Sequence, residues 1–100
     1  MAWDELRSEI IEMFVTKTTE MGLAADIDLS IIEDAPVDSE FVYGEAFPEE
    51  GKVWLEVVGP DASDDEIMET ICHELVHLKH PGWGHESEVF EAMVKYCMRT

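Results

Sequence analysis

His73-Glu74-Leu75-Val76-His77 is a His-Glu-x-x-His run. On a helix, residues four apart stand one above the other, so two imidazoles can grip one metal ion while the glutamate lies beside them. These residue types at this spacing suit zinc-assisted hydrolysis, with the histidines as nitrogen ligands and Glu74 as the base that takes a proton from water. So short a run also occurs by chance in helices that bind nothing, and its surroundings decide its meaning.

At about 100° per residue, Ile67, Ile71, Leu75 and Leu78 share one side of this segment with Met68. His73 and His77, with Glu74 near them, point to the other side, so the pair lies opposite the apolar stripe. Ser63, followed three residues later by Glu66, has the form of a capping box that opens the helix. His80 precedes Pro81 and is pushed out of helical geometry, which ends the helix near Lys79.

The other elements follow from their own periods. Trp3, Leu6, Ile10, Phe14 and Met21 fall on one stripe flanked by Ile11 and Met13, predicting a helix from residue 3 to about 21 that Gly22 stops. Segments 27–32, 41–47 and 52–58 read as strands, the last two joined by Pro48-Glu49-Glu50-Gly51 in hairpin fashion. A third helix is expected over roughly 85–98, doubling back after Gly82-Trp83-Gly84. The order helix, three strands, helix, helix is an α+β arrangement, and 100 residues make one domain, 1–100.

A catalytic zinc site takes three protein ligands and keeps a fourth position for water, so the third helix must supply a partner. There Phe90, Met93, Val94 and Cys97 form an apolar stripe edged by Val89 and Tyr96. One turn before Phe90, the centre of that stripe falls on Glu86. A carboxylate on an inward face needs a compensating charge, which zinc on His73 and His77 would provide. Glu86 is therefore the first candidate for third ligand. His85 is the alternative, since the first residue of a helix need not obey its phase, and Glu88 comes third. His80 shares the face of the histidines, but three ligands from one straight helix do not surround a tetrahedral ion, so it reads as a cleft-lining residue. Trp83 reads as turn packing. Tyr43 and Tyr96 are candidate donors to an oxyanion, with no spacing that selects either.

Composition narrows the partners. Asp and Glu number 24 against 6 Lys and Arg, for a formal net charge of −18. Such a surface repels phosphate, which argues against nucleic acid and anionic membranes. Salt would relieve the self-repulsion, so a salt-rich, halophilic setting and an ordinary acidic surface are both open. Hydrophobic residues make up 46% of the chain, enough for a core. Cys72 and Cys97 form no C-x-x-C pair and read as small buried apolar residues. With no leader-like N-terminus and no run long enough for a span, a cytoplasmic protein is expected.

Taken together, these residues resemble the minigluzincins, single-domain proteins of about this length that look like the catalytic cores of membrane-integrated zinc peptidases. The resemblance rests on HELVH at 73–77, on Glu86-Ser-Glu-Val-Phe90 as the Glu-x-x-x-Phe of that family's glutamate helix, and on the order of elements. Glu88-Val-Phe-Glu-Ala92 fits a looser Glu-x-x-x-Ala form. The SprT-like and YgjP-like metal-dependent proteins are similar too, but they carry a histidine four residues ahead of the phenylalanine. Here that position is Glu86, and His85 is five ahead.

The resemblance implies a zincin-like minimal domain with a backing helix, a small sheet, an active-site helix and a glutamate helix. Either strand of the hairpin is a candidate for the edge that holds an extended peptide. It further implies a zinc metallopeptidase that cleaves peptide or protein substrates with Glu74 as general base, and a latent form in which residues 95–100 occlude the metal. Two other readings stand beside it. A zinc-binding protein without peptidase activity would use the ion for stability or partner binding, with His85 and Glu86 both ligating. A metal-free helical protein would carry the motif by chance, a reading that Glu86 on the apolar stripe disfavours.

Overall fold

A computed structural model describes residues 3–23, 27–34, 41–58, 63–82 and 88–99. Its elements are α1 (Trp3–Glu20), β1 (Asp28–Asp34), β2 (Phe41–Phe47), β3 (Lys52–Val58), α2 (Asp64–Lys79) and α3 (Glu88–Arg99). The α+β order is the one that the periodicities predict. Among the described residues, no helix is long and apolar enough to cross a membrane.

Alternation along β3 sets the layers. Val53, Leu55 and Val57 are fully buried and pack with Leu6, Ile10 and Phe14 of α1 and with Ile67, Ile71 and Leu75 of α2. The other face of the sheet carries Tyr43 and Trp54, whose rings meet edge to face with centroids 6.0 Å apart. The strands lie in the order β1-β3-β2. β3 runs parallel to β1 and antiparallel to β2, with Ile31 and Gly44 both opposite Leu55. Because β3 is central, only β2 of the hairpin can be the free edge, which removes one of the two candidates.

Helix ends follow their local chemistry. Leu23 N–H donates to the Thr18 carbonyl (3.0 Å) and Gly22 N–H to that of Thr19 (3.1 Å). Gly22 has φ 69°, the left-handed cap that a glycine adopts without strain. At the start of α2, Ser63 Oγ accepts from the Glu66 N–H at 3.2 Å, half of the expected capping box. The Glu66 side chain does not complete it; its Oε1 accepts from the Val42 N–H of β2 at 3.3 Å and ties the helix to the edge strand. At the other end, His80 N–H donates to the Val76 carbonyl and closes the helix after Lys79.

Helix α2 buries a second face that the single stripe did not reveal. Cys72 and Val76 pack with Phe90, Val94 and Cys97 of α3, and Met68 sides with this cluster rather than with the sheet-facing one. Both cysteines are buried and neither forms a disulfide, as their isolation in the sequence suggested. Ile11 and Val15, near the stripe of α1, are about half exposed, whereas Lys17 is only 4% exposed. The Lys17 ammonium donates to the Cys97 carbonyl near the end of α3 (2.6 Å) and to Glu20 (3.1 Å). A cation suits this position, because the last carbonyls of a helix lack partners and carry partial negative charge.

Replacing Lys17 with Met should keep the stem's packing but leave the Cys97 carbonyl without its donor. The expected loss is about 1–3 kcal/mol of unfolding free energy in a urea titration, set by one lost charge-assisted hydrogen bond to a buried carbonyl.

Candidate metal centre

Helix geometry brings His73 and His77 together on one face of α2, their ring centroids 4.9 Å apart. Behind them stands Phe90 of α3, 1% exposed, with its ring 4.9 Å from that of His73 and 4.5 Å from that of His77. The apolar stripe of α3 therefore forms the wall against which both imidazoles rest. Ligand atoms of His73, Glu74 and His77 all lie within 4.8 Å of one another, a cluster that could hold a metal ion.

Glu74 differs from what the helical phase alone suggests. It points away from the main apolar stripe, yet it is 5% exposed. The cause is β2. Strand and helix approach so closely at Gly44 that a Cβ there would lie 2.8 Å from Thr70 Cγ2 and 2.9 Å from Glu74 Cγ and Oε2. Only glycine leaves room for this carboxylate between the two elements. A glycine inside a strand pattern signals a close backbone approach, so this signal was present in the sequence, though it does not name the neighbour.

Among the described residues, no hydrogen-bond donor reaches the Glu74 carboxylate. Burial lifts its pKa from the usual 4.5 to about 7, and the nearby Glu45 charge adds to the rise. A largely desolvated carboxylate that meets no donor among the described residues, beside two imidazoles, is a site that a cation would stabilise. Imidazole nitrogens suit zinc, copper, iron or nickel, so the two histidines fit a transition-metal ion, zinc among them.

The cluster opens into a cleft of about 710 Å³ between β2 and α2, lined also by Pro48 and Pro81. Tyr43 lines it; Tyr96 lies instead along a groove near Glu20 and Lys79, and His80 is not part of the cleft wall. Glu88 is exposed at the start of α3 and does not join the cluster. The remaining ligand candidates, Glu86 and His85, lie outside the described residues, as does Trp83. Residues 95–99 continue α3, and none of them lines the cleft, so this part of the expected occluding tail packs elsewhere.

Gly44→Ala should force Thr70 or Glu74 to move and cost about 1–3 kcal/mol of stability, measured by denaturant unfolding. The pH dependence of the metal-free protein follows from Glu74. Its folded pKa is raised, so its contribution favours the folded state below about pH 4.5 and is lost as pH rises through 7. In chelator-treated protein, Glu74→Gln should therefore gain up to about 3 kcal/mol relative to the parent above pH 7, with the difference vanishing toward pH 4.5. No known protein-family description matches the chain, and no curated protein does, so the assignment of this site rests on its own residues.

Proposed function

We propose that the chain is a zinc-dependent metallopeptidase that hydrolyses peptide bonds. His73 and His77 would hold the ion with Glu86 as third ligand, His85 being the alternative. The observation that carries the reading is Glu74, a 5% exposed residue whose carboxylate meets no donor among the described residues and lines an open cleft beside two imidazoles. When bound, zinc would lower the pKa of a water to about 7 and polarise a carbonyl. Glu74, whose basicity burial raises, takes the proton of the attacking water and passes it to the nitrogen of the leaving amine.

The edge strand supports a peptide substrate. Val42 N–H points outward to Glu66, and antiparallel pairing alternates inward and outward groups. The backbone groups of Gly44 and Ala46 therefore lie along the open edge of β2 beside the cleft, where an extended chain can add as a strand. The zincin-like order of elements and the minigluzincin resemblance agree with this reading. The acidic surface fits a cytoplasmic protein with no nucleic-acid or membrane partner.

Glu74→Gln should keep its zinc and lose peptide hydrolysis by at least about 10²-fold. Loss of zinc from that variant, or hydrolysis at the parent rate, would remove Glu74 from this role. Full zinc loading of the parent with no hydrolysis of any peptide would favour the non-catalytic zinc protein. Glu86→Ala should weaken zinc binding more than His85→Ala does, measured by chelator competition; the reverse order would make His85 the third ligand.

A further inference from the structure

The metal cleft has a charge of its own. Glu45, Glu66, Glu69 and Glu74 line it, and none of the chain's six Lys and Arg residues does. The contacts of several basic side chains lie elsewhere: Arg7 pairs with Glu33, Lys17 and Lys79 donate to the Cys97 and Met21 carbonyls, and Lys95 pairs with Glu91. Glu69 stands one helical turn before His73, so it continues the row of His73 and His77 along α2. Glu45 lies on the edge strand itself, close enough for its charge to be felt at Glu74. Both Glu45 and Glu69 are exposed.

Two further features point to a ligand here. Glu74 is 5% exposed and reaches the same cleft without a hydrogen-bond donor among the described residues. The outer edge of β2 also offers backbone groups to an added strand. We infer that this cleft selects extended peptide segments rich in lysine or arginine, with Glu45 and Glu69 as specificity-determining residues. The inference rests on the peptidase reading of the site. Its physical basis is that like charges gathered in a cleft with low-dielectric walls focus their field. They draw in a cationic chain, whereas an anionic chain meets uncompensated repulsion. A uniformly acidic surface would also attract cations, so the test must separate the cleft from the net charge.

Three end-blocked, fluorescently labelled peptides of equal length, differing only in Lys, Gln or Glu at four positions, serve as probes of the zinc-loaded chain. Binding is read by anisotropy and cleavage in parallel. The lysine peptide should bind about tenfold tighter than the glutamine peptide, with the glutamate peptide weakest, and raising the salt should shrink the gap. Glu69→Lys and Glu45→Lys should each reduce the lysine-to-glutamine ratio about fivefold. Glu12→Lys, an equal charge change on the exposed side of α1, should alter it by less than about twofold.

Equal binding of the three peptides, or the same loss of ratio from Glu12→Lys, overturns the inference. Selective binding of the lysine peptide with no cleavage of any peptide leaves the inference standing and rejects the peptidase reading. Cleavage without charge preference does the opposite.

Discussion

The site depends on how closely β2 can approach α2 at Gly44. A single side-chain atom at that position would collide with Thr70 and Glu74, so the absence of a Cβ lets the strand close over the helix and bury a carboxylate that would otherwise face water. Two properties of the site follow from this one contact. Glu74 is desolvated, which raises its affinity for a proton. The open edge of the sheet comes to lie along the same cleft as the histidines. Glu66 reinforces the arrangement from the end of the helix by accepting the Val42 N–H.

The opposite side of the site is held by α3. Phe90 fills the space behind both imidazoles, and the stripe that includes Val94 and Cys97 fixes α3 against Cys72 and Val76. Lys17 reaches from α1 to the Cys97 carbonyl and Lys79 from α2 to the Met21 carbonyl, so the far ends of the helices are joined by charge-assisted bonds. In a chain of net charge −18 the few cations are thus used partly as structural ties, while no lysine or arginine lines the cleft beside its carboxylates. The same scarcity of positive charge shapes both the fold and the character of the site.

How much of this was legible in the sequence depends on whether the cause was local. The end of α1 at Gly22, the Ser63 cap, the stop before Pro81 and the shared face of His73 and His77 all follow from residues within a turn or two of one another, and they were readable. The apolar stripe of α3 was readable for the same reason. What could not be read came from pairing across the chain. Nothing near 52–58 says that β3 is central, and nothing in α2 says that Glu74 is covered by a strand about 30 residues earlier in the chain. Lys17 belongs to this group as well, because its partner carbonyl is 80 residues away. The second face of α2, with Cys72 and Val76, was hidden because a helix enclosed by three neighbours no longer shows one stripe.

Everything proposed for the cleft requires that His73 and His77 hold a metal ion. The most direct test is zinc content by elemental analysis after loading and desalting, compared among the parent chain, His73→Ala and His77→Ala. One tightly held zinc per parent chain is expected, and its loss from both variants, since each removes a ligand from a site that needs three. A parent chain that retains no more zinc than the variants would contradict this.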